Sequence, residues 1–262
     1  MHKEEIIRLY ELQMLATASN FSLWETEGRR KSADALAEFF YGITRAIKPS
    51  TFIEAGARQA YASTRIRSLC PETEIFAFEA NPYNYEYFSR VGSFEADRVN
   101  YIHKAISETS GTITFNIRKT VDGKEVTPLT GQSSLLKRAD DKTTYEEVTV
   151  PAASLDELFP SAPTNTIWID VEGATRGVIE GGRSVLAKSQ AAIVEMSDRS
   201  HWDGEWLATR VISELYDLGL VPVARDFEFR SQYNVVFLNR DTLMNHEIRR
   251  NVEYFHSVLC KR

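Results

Sequence analysis

Two periodicities alternate along the chain. Apolar residues recur every three or four positions in some stretches, and short β-branched or aromatic runs end on an acid in others. Residues 3–18 carry Ile6, Ile7, Leu9, Tyr10, Leu12, Met14 and Leu15, a density that predicts an amphipathic helix, with Phe21 and Trp24 behind it. Asp34 to Ile47 repeats the pattern through Leu36, Phe39, Phe40, Ile43 and Ile47, with Ser32 or Asp34 as its cap and Lys48-Pro49 as its end. Thr51-Phe-Ile reads as a buried strand closed by Glu54. Gly56 permits the bend that follows, and the small Ala57 and Ala60 let backbone approach a ligand. A helix begins near Gln59, runs through Tyr61 to Leu69 and stops at Pro71. Glu74 to Glu79 is a second strand, Asn81-Pro82 opens a helix to Val91, and Val99 to His103 is a short third strand.

The middle of the chain changes character. Thr112 to Ile117 alternates with period two, as a half-buried antiparallel strand does, and Glu147 to Pro151 is its expected partner. Between them Lys119 to Lys142 is polar, with Asp122-Gly123, Pro128 and Gly131, and reads as a long mobile loop. Ser154 to Phe159 is a short capped helix. In Thr166-Ile-Trp-Ile-Asp-Val-Glu-Gly173 the alternation puts Ile167, Ile169 and Val171 on one side and Trp168, Asp170 and Glu172 on the other. Thr175 to Ala187 is expected to be one helix, Gln190 to Met196 a strand and Trp206 to Leu218 a helix. Leu220 to Ala224 and Tyr233 to Leu238 form an antiparallel hairpin, and Leu243 to Leu259 a final helix whose His246 and His256 are surface residues.

Composition narrows the class. The 262 residues are 43% hydrophobic and 26% charged, which suits one large soluble domain with additions. The divisions are a helical extension over 1–48, a main domain over 49–240 with an inserted hairpin and loop at 112–151, and a C-terminal helix over 241–262. A net charge of −6 with scattered basic residues argues against nucleic acid as a partner. Cys70 and Cys260 belong to no C-x-x-C pair, so neither a disulfide framework nor a zinc ribbon is expected. The N-terminus lacks a secretory pattern and no run of about 18 apolar residues occurs, so no membrane partner is expected and the cytoplasm is the expected location. The helix over 3–18 reads as a cap on the domain, with a lid or a homo-oligomer contact as alternatives.

Three acids carry candidate chemistry. Glu54 stands beside a tight turn that opens a helix, whose free N–H groups form an anion site. Glu79 lies 23 residues beyond Gly56 at the tip of the next strand, where nucleotide-binding α/β folds grip ribose hydroxyls. Asp170 ends a nearly continuous apolar run, and a carboxylate partly buried there needs a partner: a cationic cofactor, a metal or a substrate hydroxyl.

The order of five parallel strands, marked by Phe52, Ile75, Tyr101, Ile169 and Ile193, followed by a terminal hairpin, resembles the S-adenosylmethionine-dependent methyltransferases. More narrowly it resembles the FkbM family. The residues that carry the resemblance are Glu54-Ala-Gly56-Ala57-Arg58-Gln-Ala60-Tyr61, Phe76-Ala-Phe-Glu79-Ala80-Asn81-Pro82, Ser154-Leu-Asp-Glu-Leu158, Ile169-Asp170-Val-Glu172-Gly173-Ala174 and Val194-Glu195. It covers roughly residues 50 to 240, and the segments fall in the family's order.

The resemblance implies an α/β fold with a three-layer, Rossmann-like seven-stranded sheet, mostly parallel, with an antiparallel C-terminal strand. It implies S-adenosylmethionine as cofactor. Glu54 and Gly56 would hold its methionine end within the turn Ala57, Arg58, Ala60 and Tyr61. Glu79, with Ala80 and Asn81, would take the ribose, Ala105 and Ile106 would lie near the adenine, and Asp170 would sit near the sulfonium. The implied reaction is O-methylation of a small-molecule acceptor, a sugar or secondary metabolite. Asp170 and Glu172 are the candidate bases, with His201 behind them. The same two acids could bind a divalent ion, although no metal is called for. Three positions depart from the family pattern: Arg58 replaces Asn, Ala60 replaces a glycine and Thr175 replaces an acid. Ala60 fits if its φ is negative. A non-catalytic binding module is the rival reading that Arg58 and Ala60 sustain. An NAD(P)-dependent oxidoreductase is a weaker rival, because G-x-G-x-x-G is absent.

Overall fold

Every residue of β1 (Thr51–Ala55) is buried, and this strand is the axis of the molecule. In the computed structural model, which describes residues 3–140 and 142–257, β1 pairs in parallel with β2 (Glu74–Glu79) on one side and β8 (Asn165–Ile169) on the other. β3 (Val99–His103) extends the sheet beyond β2, and β9 (Ser189–Ser197) beyond β8. The hairpin of β10 (Leu220–Arg225) and β11 (Gln232–Asn239) completes seven strands in the order β10-β11-β9-β8-β1-β2-β3, with β11 antiparallel to both neighbours. The chain leaves β1 toward β2 and later returns to β8 on its other side. The connections therefore diverge at the β1/β8 boundary, and a crevice opens at the carboxyl ends of these strands.

Helices cover both faces. Ile53, Ile167, Ile169, Val194 and Phe237 pack against α6 (Thr175–Glu180), α7 (Arg183–Ala187) and α8 (Ala208–Asp217). Phe52, Ile75, Ile193 and Val236 face α2 (Thr26–Ile47), α3 (Tyr61–Leu69) and α10 (His246–Ser257). The three-layer arrangement follows from strands that are apolar on both faces, which only helices on either side can shield. α1 (Lys3–Ala18) packs against β10, α4 (Pro82–Val91) is capped by Asn81, and the short α5 (Leu155–Leu158) by Ser154. Among the described residues no helix is long and apolar enough to cross a membrane.

Several expectations are revised. α2 begins at Thr26, not at Asp34. Ser32 is not its cap: its hydroxyl lies inside the helix, donating to the Arg29 carbonyl at 2.6 Å and accepting from the Phe227 N–H at 2.8 Å. The single helix expected over 175–187 is two, broken at Gly181-Gly182. A Cβ at Gly181 would lie 2.2 Å from the Ser107 carbonyl oxygen, so close packing dictates both the glycine and the break. The tail is likewise two helices, α9 (Arg240–Met244) and α10, with the Asn245 side chain accepting from the Glu247 N–H. The end of the expected helix and Cys260 lie outside the described residues. His256 is not a surface residue: Nδ1 meets Thr17 Oγ1 and Nε2 meets the Val223 carbonyl, each at 2.8 Å.

The insertion forms a second sheet. β5 (Gly111–Val121) and β7 (Thr143–Ala153) pair antiparallel, Thr112 opposite Pro151 and Ile117 opposite Glu146, flanked by β4 (Ala105–Ile106) and β6 (Lys124–Glu125). Part of the stretch expected to be loop is therefore strand, with a hairpin turn at Asp122-Gly123. The rest folds back, and Ser134 bridges to Asn116 on β5.

Candidate active site

The turn after β1 is built by close contacts. Gly56 has φ +86°, and a Cβ there would lie 1.7 Å from the Asp170 carbonyl oxygen. The N–H groups of Gly56 and Ala57 both donate to the Phe78 carbonyl, at 3.0 and 2.8 Å. The next N–H, of Arg58, donates to the Glu79 carboxylate at 2.6 Å. Asn81 N–H reaches the other Glu79 oxygen at 2.8 Å, and Asn84 Nδ2 the same oxygen at 3.3 Å. Burial pushes the Glu79 carboxyl up to about 7 against these hydrogen bonds. A carboxylate has about four acceptor sites. Three are filled by the protein, which leaves Glu79 one for a ligand hydroxyl.

Ala60 has φ +53°, contrary to the negative value its side chain favours, and Arg58 has φ +46°. A left-handed conformation costs a non-glycine residue about 1–2 kcal/mol. The cost is carried by the surrounding contacts: Ala60 N–H donates to the Ala57 carbonyl at 2.6 Å, and its own carbonyl accepts from Thr64. The start of α3 is not a vacant anion site. Glu54 occupies it, accepting from the Ser63 N–H at 2.9 Å and from the Ser63 hydroxyl. Burial raises the Glu54 carboxyl to about 7.

A cavity of about 520 Å³ opens above the strand tips. Of the residues expected at the site, Gly56, Arg58, Glu79, Ala80, Asn81, Ala105, Ile106, Asp170 and Glu172 line it. Glu54, Ala57 and Tyr61 open instead onto a second cleft, of about 400 Å³, between β1 and α2. Gly56, Arg58 and Asp170 border both spaces. Ala60 is fully buried and lines neither. His201 is absent from both linings, and its Nε2 meets Ser231 Oγ at 2.9 Å.

β8 stops at Ile169, one residue before the acids. Asp170 to Gly173 form a turn in which Glu172 has φ +51°, so strict alternation does not extend to Glu172. The turn brings Asp170 and Glu172 together with Glu195 of β9; one carboxylate oxygen of each lies within 4.8 Å of the others. Burial raises all three carboxyls, Asp170 to about 6, Glu172 to about 8 and Glu195 well above the usual range. A hydrogen bond from Glu195 favours the Asp170 carboxylate, whereas the Asp170 charge pushes the other two further up. Asp170 is thus the most acidic of the three.

Sequence reasoning did not place Glu195 in this cluster, although its position at the end of a strand beside β8 was a signal. It also missed Phe115, Asn84 and the segment 127–135, which line the cavity opposite the strand tips. The Asn81 and Asn84 amides hold this segment by the Pro128 and Thr130 carbonyls, each at 2.9 Å. Its length without regular structure was the available signal.

A parallel sheet with one antiparallel strand set inside its far edge, and acids gathered at the switch point, is the architecture of the Rossmann-like methyltransferases. The chain belongs to the methyltransferase FkbM domain family, whose pattern matches residues 54–229. It is 27% identical over 199 residues to the 2-O-methyltransferase NoeI of Sinorhizobium fredii (strain NBRC 101917 / NGR234), covering 72% of this chain and 80% of that protein. The crystal structure of methyltransferase FkbM from Methylobacillus flagellatus KT aligns with a TM-score of 0.45 at 14% identity, over 72% of this chain and 44% of that one. This chain therefore spans less than half the length of that relative. Magnesium protoporphyrin IX methyltransferase from Synechocystis PCC 6803, solved with bound SAM, aligns with a TM-score of 0.44 at 7% identity, over 83% of this chain and 84% of that one.

Proposed function

We propose that the chain is an S-adenosylmethionine-dependent O-methyltransferase acting on a hydroxyl of a small molecule, a sugar or secondary metabolite. The observation that carries this reading is that Glu79 and Asp170 face one cavity from either side of the Gly56 turn. The residues fit such a cofactor. Glu79 offers an acceptor to a ribose hydroxyl. Ala80, Ala105, Ile106 and Phe115 supply an apolar wall for a base, with Asn81 at its edge. The Arg58 guanidinium, bordering both spaces, suits the carboxylate of the methionine end. Glu54, Ala57, Ala60 and Tyr61 shape the turn. When bound, the cofactor supplies a methyl group on a positively charged sulfur.

The chain's own residues orient the acceptor and move its proton. Asp170, at about 6, is ionised at neutral pH, whereas Glu172, at about 8, holds a proton. Asp170 accepts the hydroxyl proton as the oxygen attacks, and Glu172 donates a hydrogen bond that orients the acceptor. The relative named as a 2-O-methyltransferase supports oxygen as the nucleophile. The test is calorimetric titration with S-adenosylhomocysteine beside a methyl-transfer assay of Asp170→Asn. Micromolar binding with lost turnover in the variant supports the reading. Absence of binding in folded protein favours the rival reading, a degenerate module whose altered turn has lost cofactor affinity, and directs attention to Arg58 and Ala60.

A further inference from the structure

Two arginines flank Glu172 without an ionic partner. Arg118 lies on β5; its main-chain N–H donates to Ser133 Oγ at 3.2 Å and its guanidinium donates to the Gln132 side chain, and both partners line the cavity. Its Nε is buried and makes no hydrogen bond. Arg138 pairs with Trp202 in an isolated bridge, and its guanidinium lies 4.4 Å from the centroid of the Trp202 ring. That ring rests against Gly173, the residue after Glu172. Ser134, one residue past Ser133, donates its hydroxyl to the Glu172 carbonyl at 2.6 Å.

Neighbouring cations on the same insertion behave differently. Lys137 pairs with Glu147 at 2.5 Å and Lys142 with Asp122 at 3.7 Å. Neither Arg118 nor Arg138 forms an ion pair with a carboxylate among the described residues. A chain with net charge −6 thus keeps two guanidinium groups outside any ion pair beside Glu172, the hydrogen-bond donor of the proposed site. Each lowers the Glu172 carboxyl, and burial, with Arg138 behind it, lowers Arg118. A planar fork with a free donor, set beside a second fork, matches the oxygens of a carboxylate or phosphate.

We infer that Arg118 and Arg138 form an anion subsite, so that the methyl acceptor carries a carboxylate or phosphate group docked between them. This rests on the reading of the site as a methyltransferase and adds to it the charge class of the acceptor. An acidic sugar or a sugar phosphate has the required chemistry: a hydroxyl for Asp170 and an anionic group for the arginine pair.

The test measures binding of D-glucuronate, D-glucose 6-phosphate and D-glucose to the full chain by saturation-transfer NMR, with and without S-adenosylhomocysteine. At least one anionic sugar should bind about tenfold tighter than glucose. Arg118→Gln or Arg138→Gln should erase that preference, whereas Arg118→Lys should keep part of it. Glucuronate alone marks a carboxylate, glucose 6-phosphate alone a phosphate. Equal binding of all three sugars, or a preference unchanged in both Gln variants, overturns the subsite. Titration of each variant with S-adenosylhomocysteine separates the two claims. Intact cofactor binding without charge preference removes only the anion subsite. Lost cofactor binding in the wild type removes the methyltransferase reading, while the sugar titrations on the free protein still decide the subsite.

Discussion

The main-chain N–H of Arg58 donates to the Glu79 carboxylate at 2.6 Å, fastening the left-handed turn after β1 to the tip of β2. One side chain thus organises the turn and faces the cavity. Replacing Glu79 by Ala should weaken S-adenosylhomocysteine binding by about tenfold or more. It should also destabilise the fold by about 1–3 kcal/mol, because buried N–H donors lose their acceptor. Calorimetry and urea unfolding read the two effects separately. Unchanged affinity would remove Glu79 from the cofactor grip.

Gly56 admits no side chain. A Cβ would lie 1.7 Å from the Asp170 carbonyl at a φ of +86°, so Gly56→Ala must move β1 away from the Asp170 turn. We expect a loss of more than about 2 kcal/mol in urea unfolding, with cofactor binding lost alongside. A change within about 0.5 kcal/mol, the range of ordinary surface substitutions, would contradict this account.

Buried acids set the pH dependence of stability. Glu54 and Glu79 are raised to about 7, Asp170 to about 6 and Glu172 to about 8. The folded chain therefore binds more protons than the unfolded chain through this window, and stability falls as pH rises. His256 acts oppositely, because burial lowers its pKa and acid then costs stability, but it is one group against five once Glu195 is included. The thermal midpoint of the free protein should decline between about pH 5 and 8. Turnover should rise over the lower part of that range as Asp170 ionises. A midpoint that climbs with pH would rule out buried, protonated acids.

Within the segment 127–135, Ser133 to Leu135 are bonded to β5, whereas 127–131 is tied to the domain chiefly by the Asn81 and Asn84 amides at the Pro128 and Thr130 carbonyls. Limited proteolysis should cut first within 119–142, faster in Asn84→Ala and slower with S-adenosylhomocysteine. If cofactor binding gives no protection there, the segment does not close over the site.

His256 holds α10 against α1 and β10 through Thr17 Oγ1 and the Val223 carbonyl. His256→Ala should cost about 1–3 kcal/mol in urea unfolding, since the Val223 carbonyl is left without this donor. A neutral effect would return His256 to the surface role that its spacing suggested.

What the sequence determined by itself is local. Apolar runs set five parallel strands, Pro71 and Asn81-Pro82 set helix limits, and the period of two at Thr112 to Ile117 set its antiparallel pairing with the strand at Glu147. The turn at Gly56 and the acids at Glu54, Glu79 and Asp170 were legible for the same reason: each is a local exception to a buried strand. Only tertiary structure decided the rest, because it depends on which strands become neighbours. β9 beside β8 brings Glu195 to Asp170, and a left-handed Glu172 brings the third acid in. Long-range contacts hold Ala60 at a positive φ that no local pattern announces. The folded-back insertion carries Arg118 and Arg138 to Glu172 and closes the cavity with 127–135. Periodicity reports which face of an element is buried; it does not report what lies across from that face.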